Sequence, residues 1–592
     1  DIQSIAKEIA PLLSKHEDDI RFNEKLFQRV KTVYEQKDEL ALAPEQNKLL
    51  EEYYKYFVRG GANLNSDEKA VLAGINQELS VLSLRFGENL LKENNRFELV
   101  IEREEDLAGL PEAVRTSAAE AARERGHEGK WVFTLHKPSM LPFLQYSEKR
   151  NLREKIFKAY MNRGNNNDEL DNKEILSRMA ALRAEKAKLL GYENHAHYML
   201  EENMAKQPKN VYELLEKLWK PALAKAKDEA EALQKMIDEE GKSFKLKAWD
   251  WWYYAEKLKR AKYELDDEIL RPYFELENVR NGVFALANRL YGITLEERPD
   301  MPKYHEDVRV FEVKEADGTH IGILYTDYFP RESKRGGAWM SAYRKQSKLG
   351  GEKTPVITNV GNFSKPTGDK PALLSLDEVY TLFHEFGHGL HGLLSNCTYE
   401  TLSGTNVAQD FVELPSQIME NWVTEPKMLK IYAKHYETGE PIPQELVEKI
   451  KKARHFNQGF ATTEYLAASF LDMDWHTLTE AEELDPVAFE TESMNRIGLI
   501  PEIVVRYKSP YFRHIFSGGY SAGYYSYVWA EVLDADAFQA FKETDLFNRE
   551  TARKFRRNVL AAGGTEDPMV LYKRFRGAEP KIDPLLERRG LK

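Results

Sequence analysis

The stretch that most constrains how this chain folds is five residues long, His-Glu-Phe-Gly-His at positions 384–388. On an α-helix, residues i and i+4 lie on one face, so His384 and His388 can bind one metal ion while Glu385 lies beside them. The same pattern also occurs by chance, on surface helices whose two histidines are simply solvated. The neighbouring sequence therefore has to show whether a helix forms here and which of its faces is buried.

The flanking residues predict a helix with one buried face. Ser375 followed by Glu378 is a capping box, in which each side chain binds the other residue's backbone amide. Apolar residues then recur at spacings of four and three, and the stripe that they predict consists of Val379, Phe383, Phe386, Leu390 and Leu393. His384 and His388 lie on the flank of this stripe. We interpret His391 as a packing or supporting residue, because three ligands from one straight helix would be strained.

A catalytic zinc site usually has three protein ligands and one open position. The nearest acidic segment downstream is 409–420, in which Asp410, Glu413 and Glu420 are all eligible, and a solvated acidic helix face is the alternative. Glu413 follows His388 by 25 residues, which is enough chain to turn back and pack a second helix beside the first. Pro415 would begin or kink that second helix. From the residues alone, the third ligand stays open among the three acids.

The rest of the chain is dominated by amphipathic helical patterns. Long helices are predicted from Ser66 onward and at 210–240, 446–478 and 549–562. Short strands are predicted at 97–102, 131–135, 308–313, 320–329 and 356–360. The last three would form a small sheet just before the metal-binding helix. An edge strand there could hold an extended peptide, and a purely structural hairpin is the equal alternative.

Composition excludes several classes of protein. A net charge of −12 argues against nucleic acid as the main partner, and no run approaches the roughly 18 apolar residues of a membrane span. The single cysteine, Cys397, excludes an internal disulfide framework but does not distinguish the cytoplasm from the periplasm. The sequence shows no repeat and no flexible linker, so we expect any lobes to be interleaved along the chain.

Several segments together resemble one family. The motif at 384–388, Ser-Gly-Thr at 403–405 and Asp-Phe-Val-Glu-Leu-Pro-Ser-Gln at 410–417 are similar to the thimet oligopeptidase family of zinc peptidases. The Gly- and Tyr-rich segment 511–527 and the segment 574–580 extend the resemblance, which is strongest to the bacterial peptidyl-dipeptidase branch and covers essentially the whole chain. Members of the family are usually longer at the N-terminus, so we expect the N-terminal helical part, 1–150, to be incomplete.

The resemblance implies a mainly α, neurolysin-like zincin fold. Residues 1–592 would form a single peptidase unit of two interleaved helical lobes around a deep channel, with a small β-sheet near the zinc and the catalytic region at 300–592. One zinc ion is assigned to His384, His388 and Glu413, with Glu385 as general base toward a zinc-activated water. The implied reaction releases dipeptides from the C-terminus of short unfolded peptides. An endo-acting oligopeptidase with the same site is the alternative, and a non-catalytic peptide-binding protein is a third hypothesis.

The resemblance also implies roles for residues outside the motif. Tyr527 and His514 are expected to donate hydrogen bonds to the substrate and the oxyanion, with Tyr520 close by, although branches of the family differ by one residue in the spacing that places His514. Glu420 lies about two helical turns after Glu413, and we expect it to accept a hydrogen bond from the free nitrogen of a ligand histidine.

A peptidyl-dipeptidase must also recognise the free carboxylate of its substrate. Arg506, Lys508 and Arg513 flank the tyrosine-rich segment and are candidates, while an ordinary surface charge is the simpler interpretation of each. We expect a monomer that acts on short peptides, with no nucleic acid and no membrane as partner. The expected compartment is the cytoplasm, or the periplasm if a signal peptide was removed.

Overall fold

A computed structural model describes residues 2–592, of which 58% are helical and 7% lie in strands, so the predicted mainly α class is confirmed. The α-helices are, in chain order, α1 (Ile2–Arg21), α2 (Glu24–Glu35), α3 (Pro44–Arg59), α4 (Ser66–Arg96), α5 (Glu112–Glu124), α6 (Lys137–Tyr146), α7 (Arg150–Met161), α8 (Lys173–Leu189), α9 (His195–Leu200), α10 (Pro208–Glu239), α11 (Ala248–Tyr263), α12 (Asp267–Leu270), α13 (Leu276–Tyr291), α14 (Leu376–Leu393), α15 (Gln409–Val412), α16 (Leu414–Glu420), α17 (Pro426–Tyr432), α18 (Gln444–Ala453), α19 (Gln458–His476), α20 (Pro486–Arg496), α21 (Arg513–Phe516), α22 (Ser526–Lys542), α23 (Arg549–Phe555), α24 (Pro568–Arg576) and α25 (Asp583–Arg588). The strands are β1 (Leu99–Ile101), β2 (Trp131–Phe133), β3 (Thr294–Glu297), β4 (Arg309–Lys314), β5 (His320–Asp327), β6 (Trp339–Arg344) and β7 (Val356–Val360).

One of the predicted long helices is interrupted, and another changes its helix type near its end. The stretch 446–478 is not one helix, because Asn457 adopts a left-handed φ of 59° between α18 and α19. The Asn457 side chain accepts a hydrogen bond from Trp251 Nε1 at 2.8 Å, and the Glu229 carboxylate caps the start of α19 by accepting two backbone amides. The predicted helix at 549–562 is present as α23, which continues without a break into a π-helical turn, Arg556–Leu560. The predicted helices from Ser66 and at 210–240 are confirmed as α4 and α10, with Asn65 as the N-cap of α4.

The main sheet has the strand order β3-β4-β5-β7-β6, and all of its neighbouring pairs are antiparallel except β5 with β7. The predicted strands correspond to β4, β5 and β7, and β1 pairs with β2 in a separate two-stranded sheet. The two outer strands, β3 and β6, were not predicted. Both are largely exposed and lack a clean alternation of apolar and polar residues, so pairing with a neighbour determines them more than their own pattern does.

The buried side chains form clusters that combine distant parts of the sequence. The cluster around α14 draws on residues from Leu265 to Phe575, and a second cluster joins Ile75 on α4 to Leu585 on α25. A chain that divided into consecutive domains would not mix its segments in this way. The clusters agree with interleaved lobes, whose boundaries stay a prediction. Within residues 2–592, none of the helices is long and apolar enough to cross a membrane.

Candidate metal centre and active site

The helix α14 forms and is oriented as its sequence predicts. Ser375 Oγ accepts the amide of Glu378 at 3.2 Å, and the Glu378 carboxylate accepts the amide of Ser375 at 2.7 Å. The Glu378 carboxylate also accepts the amide of Ser364 at 2.6 Å, which ties the loop before the helix to its first turn. All five residues of the predicted apolar stripe are buried in the cluster around α14. The helix is therefore fixed on one side and presents its two histidines on another.

The close approach of α14 and α16 brings Glu413, the expected third ligand, to the two histidines. A β-carbon at Gly387 would lie 2.3 Å from the carbonyl oxygen of Pro415, so the two backbones are in direct contact there. His384 Nε2 and His388 Nε2 lie 3.2 and 3.0 Å from Glu413 Oε2. These three residues are the group that the structure offers to a metal ion, with ligand atoms all within 4.8 Å of one another. The pair of helices thus supplies two nitrogens and one oxygen.

The hydrogen bonds around these residues fit a bound cation. Glu420 Oε1 lies 2.7 Å from His384 Nδ1, and a carboxylate can only accept, so the Nδ1 of that ring carries the proton. In the neutral ring, the lone pair of Nε2 then lies 3.2 Å from Glu413 Oε2, an arrangement that is repulsive unless a proton or a metal cation lies between them. Burial by itself would lower the pKa of His384, but Glu413 and Glu420 raise that pKa well above its ordinary value. Positive charge is thus favoured at this position, and two imidazoles with one carboxylate are a typical ligand set of catalytic metal sites.

Further hydrogen bonds hold the carboxylate of Glu413 in place. Ser416 Oγ donates to Glu413 Oε2 at 2.9 Å, and the hydroxyl of Tyr520 donates to Oε1 at the same distance. Glu413 is only 1% exposed, and burial by itself would raise its pKa, but His388 and His384 hold that pKa well below the ordinary value. The carboxylate is therefore kept ionised and oriented toward the two rings.

Glu385 lies beside this group with one oxygen unused. Its side chain is buried, and Oε2 has no hydrogen-bond partner among residues 2–592. Its backbone carbonyl accepts from Asn359 Nδ2 on β7 at 2.7 Å, which anchors α14 to the sheet. Burial raises the pKa of the Glu385 carboxyl. A carboxylate with a raised pKa and a free oxygen is suited to taking a proton from water.

The segment 517–525, here called the tyrosine loop, contains Tyr520 and joins the two expected donors, His514 on α21 and Tyr527 on α22. The rings of Tyr520 and Tyr527 stack with centroids 5.5 Å apart and planes 5° apart. The ring of His514 lies 6.0 Å from Tyr520 and 6.4 Å from Tyr527. Burial, with the neighbouring Arg506 and Arg513 charges, lowers the pKa of His514 to about 3, so its ring is neutral. Through Tyr520 this cluster is bonded directly to Glu413.

Asp410 and His391 lie near the motif in sequence and have structural roles. Asp410, one of the three acids that the sequence left open, accepts the amides of Met204 and Ala205 at 2.8 and 2.9 Å and the hydroxyl of Tyr525 at 2.8 Å. Its carboxylate is therefore occupied by these three donors and joins α15 to the tyrosine loop. His391 is fully buried with both ring nitrogens unbonded within the described residues, as expected of a packing residue.

The three cationic candidates differ in their surroundings. Lys508 Nζ lies 3.8 Å from Glu490 and Arg506 Nη1 lies 3.5 Å from Glu464. Arg513 has no carboxylate at salt-bridge distance among residues 2–592, and burial, with the nearby charge of Arg335, lowers its pKa to about 10. Arg513 is thus the candidate that lacks a counter-charge.

Sequence reasoning missed four residues of this region. Ser416 lies in one of the segments on which the resemblance rests and Asn359 lies in the predicted strand 356–360, but nothing in their spacing shows that they bond Glu413 and Glu385. Lys137, on α6, also contributes to the lowered pKa of His514. Asp472, on α19, binds the backbone of the tyrosine loop. Lys137 and Asp472 carry no local signal, because their partners are far away in the sequence.

Comparison with known proteins agrees with this geometry. The chain is 42% identical to a dipeptidyl carboxypeptidase of Escherichia coli (strain K12), over all of this chain and 87% of that protein. It is 37% identical to oligopeptidase A of the same organism, over all of this chain and 88% of that protein. Among solved structures, PZ peptidase A with an inhibitor has a TM-score of 0.57 at 14% identity, over 99% of this chain and 85% of that one, which shows a shared fold.

A family model matches three quarters of the chain. The model of peptidase family M3 matches residues 143–591, which contain α14, Glu413 and the tyrosine loop. Together with the two relatives, both more than 30% identical over the full chain, this match establishes the family. The chain therefore belongs to peptidase family M3 and is a metallopeptidase that hydrolyses peptides.

Proposed function

We propose that this enzyme uses one zinc ion, held by His384, His388 and Glu413, to release dipeptides from the C-terminus of short peptides. The observation that carries the proposal is the convergence of these three ligand atoms beside the free carboxylate oxygen of Glu385. The metal-binding geometry supports hydrolysis in general. The exo-acting specificity rests on the resemblance to dipeptidyl carboxypeptidase and on the uncompensated charge of Arg513.

The chemistry divides between the ion and the side chains around it. When bound, zinc supplies Lewis acidity, which lowers the pKa of water and polarises a carbonyl group. Glu385 accepts the proton of the attacking water on its carboxylate and then delivers this proton to the leaving amine. Glu420 holds His384 in the tautomer that leaves Nε2 available as a ligand.

The developing negative charge on the substrate carbonyl requires hydrogen-bond donors. We assign this task to Tyr527 and His514, with Tyr520 beside them. Tyr520 already donates to Glu413, and its stacked ring supports that of Tyr527. Since His514 is neutral, it can donate from one ring nitrogen without placing a full positive charge beside the zinc ligands.

We propose Arg513 as the main ligand of the substrate's terminal carboxylate. Arg513 is only partly exposed and has no carboxylate at salt-bridge distance among residues 2–592, and a substrate carboxylate would supply the missing counter-charge. Arg506 and Lys137 also act on His514 and add positive potential to the same region. Lys508 is excluded from this task by its contact with Glu490.

The outer strand β6 offers a place for the backbone of the substrate. It pairs with β7 on one side only, so its other edge is free to accept an extended peptide as a further strand. On the paired side, Met340 of β6 lies opposite Asn359, the residue that binds the Glu385 carbonyl. We propose that β6 aligns the peptide, which makes the sheet more than a structural hairpin.

The test is mass spectrometry of the products from a ladder of peptides, each with a free and an amidated C-terminus. We expect dipeptides from the free peptides and little cleavage of the amides. The Arg513→Gln variant should raise KM for the free peptides and reduce the difference between free and amidated ones. Lys508→Gln is the matched control and should behave as the parent. Equal cleavage of free and amidated peptides at internal bonds would instead establish the endo-acting alternative.

Three properties of the whole protein complete the proposal. We propose a single peptidase unit of two interleaved helical lobes around a channel, a monomeric state and a cytoplasmic location, with the periplasm as the alternative. The mixing of distant segments in the buried clusters supports the interleaving. Light scattering of the purified enzyme tests the monomer, and limited proteolysis followed by mapping of the surviving fragments tests the lobes. Cell fractionation tests the compartment.

A further inference from the structure

One buried carboxylate holds the tyrosine loop from behind. Asp472 Oδ1 accepts the amide of Ala522 at 2.9 Å, and Asp472 Oδ2 accepts the amide of Tyr524 at 2.8 Å. Asp472 lies on α19 and is fully buried. Both oxygens of a single side chain therefore fix the backbone between Tyr520 and Tyr527, and among residues 2–592 Asp472 makes no hydrogen bond to the hydroxyl of either tyrosine.

The backbone that Asp472 holds is in a conformation that needs support. Ala522 has a φ of +52°, in the left-handed region that residues with a β-carbon seldom adopt. The next residue, Gly523, is packed so closely that a β-carbon there would lie 2.3 Å from Gln409 Oε1. A strained turn of this kind persists only where its surroundings impose it. The two hydrogen bonds to Asp472 lie at Ala522 and Tyr524, on either side of Gly523, and stabilise this conformation.

Two further residues orient Asp472. Arg183 Nη1 donates to His476 Nε2 at 2.8 Å, and because a guanidinium can only donate, Nε2 must be the accepting nitrogen. The proton of the ring is then on Nδ1, which donates to Asp472 Oδ1 and to the backbone carbonyl of Asp472, each at 2.8 Å. The amide of Ala522 is 3.2 Å from this protonated nitrogen, so it donates to Asp472 Oδ1 instead. Burial lowers the pKa of His476, which agrees with a neutral ring. Asp472 thus accepts three N–H groups, one from its own helix and two from the tyrosine loop.

We propose that Asp472, backed by His476 and Arg183, is a positioning residue for hydrolysis. It holds the tyrosine loop so that the Tyr520 hydroxyl keeps its hydrogen bond to Glu413. The Tyr527 hydroxyl is thereby kept within reach of the substrate carbonyl oxygen, which becomes negatively charged during the reaction. The inference rests on the proposed function, in which Tyr527 is a donor to that oxygen. A donor that moves by about 1 Å loses about 10²-fold in rate, while binding of the peptide depends on other contacts. Asp472 therefore acts on kcat and little on KM.

The Asp472→Asn variant tests this role, because it keeps the shape of the side chain but replaces one acceptor by an amide that must itself donate. We expect kcat to fall by about 10²-fold, with KM within about threefold of the parent and with the parent's metal content. Asp474→Asn is the matched control. Asp474 lies on the same helix and binds Tyr212 and Ser493 instead of the loop, so this variant should keep the parent's kcat.

A double-mutant cycle with Tyr527→Phe separates positioning from a general structural effect. If Asp472 acts through Tyr527, Asp472→Asn lowers kcat far less in the Tyr527→Phe background than in the parent. Multiplicative losses, or an equal loss in Asp474→Asn, would overturn the inference. If Asp472→Asn has the parent's kcat while Tyr527→Phe has a lowered kcat, the positioning role of Asp472 is overturned but the donor role of Tyr527 is not. A parent-like kcat in Tyr527→Phe overturns the donor role and, with it, this inference.

A milder variant covers the case in which Asp472→Asn does not fold. His476→Gln keeps Asp472 and its two hydrogen bonds from the backbone amides of the tyrosine loop, but replaces the rigid ring by a flexible side-chain amide. We expect a smaller loss of kcat, again without a matching change in KM and again suppressed in the Tyr527→Phe background. A loss that persists unchanged in that background would contradict the positioning role as clearly as the first variant.

Discussion

Gly387 and Pro415 are in such close contact that a β-carbon on the glycine would lie 2.3 Å from the proline carbonyl oxygen. The glycine stands between the two histidines of the motif, and Pro415 follows Glu413 by two residues. The distance between the nitrogen and oxygen ligands is therefore set by a backbone contact between α14 and α16. A site built in this way is rigid, because no flexible side chain separates the two helices.

Replacement of Gly387 by Ala should push these helices apart. We expect a loss of about 1–3 kcal/mol in the free energy of unfolding, as for overpacking in a core, together with weaker metal retention. Urea unfolding and metal analysis after dialysis measure the two effects. Gly74→Ala is the control, since a β-carbon on that residue of α4 meets nothing within 4 Å. It should be neutral or stabilising by up to about 1 kcal/mol. Full metal retention in Gly387→Ala would show that the contact does not set the ligand distance.

Glu420 should affect the metal without contributing a ligand. Its bond to His384 Nδ1 fixes the tautomer, so Glu420→Gln, which can donate at that position, should lower zinc affinity by about 10–100-fold. The experiment is a competition titration with a chromophoric chelator. Glu440→Gln is the control, because Glu440 is exposed and is not among the residues that bond the metal ligands. Parent-like affinity in Glu420→Gln would remove the orienting role of Glu420.

Much of the metal centre was predictable because its signals are local. The capping box at Ser375 and the apolar stripe of α14 depend on residues a few positions apart, and the structure contains both. The third ligand was open from composition, and only the resemblance selected Glu413 over Asp410. The structure shows why Asp410 is unsuitable, since it binds two amides of the segment after α9 and the Tyr525 hydroxyl.

What could not be predicted depends on contacts between distant segments. The break at Asn457 follows from Trp251 and Glu229, more than 200 residues away in the sequence. Strand β6 exists because β7 pairs with it, and its own pattern is ambiguous. Asp472 reaches the tyrosine loop from 50 residues before Ala522, through a helix whose sequence gives no sign of this contact. Such relationships are set by tertiary packing.

Glu385→Gln should separate metal binding from turnover. The variant keeps the size of the side chain but cannot accept the proton of water, so we expect kcat to fall by about 10²–10⁴-fold. Metal content should equal that of the parent, because His384, His388 and Glu413 are unchanged. The inactive variant should also still bind a peptide, which calorimetry measures. A Glu385→Gln enzyme that turns over at the parent's rate would contradict the assignment of the general base.

His391 provides a prediction about pH that is independent of catalysis. The ring is fully buried, neither nitrogen has a partner among residues 2–592, and burial lowers its pKa to about 3. The pKa of this histidine is about 6.5 in the unfolded chain. At pH values between about 6.5 and about 3, the unfolded chain therefore binds a proton at His391 that the folded protein does not bind, so stability is lost as the pH falls. At pH 5 the loss is about 2 kcal/mol, from about 1.5 pH units at 1.36 kcal/mol each.

His391→Leu removes the titrating ring and leaves no unbonded polar atom, so its stability should be less sensitive to acid. Urea unfolding of both metal-free proteins at pH 7.5 and pH 5 measures this. The other titrating groups are common to the two proteins and cancel in the comparison. We expect the variant to be as stable as the parent or slightly more stable at pH 7.5, and to gain about 2 kcal/mol relative to the parent at pH 5. An identical pH dependence in both proteins would show that the folded parent accommodates a proton on His391, and that the ring has a partner in solution.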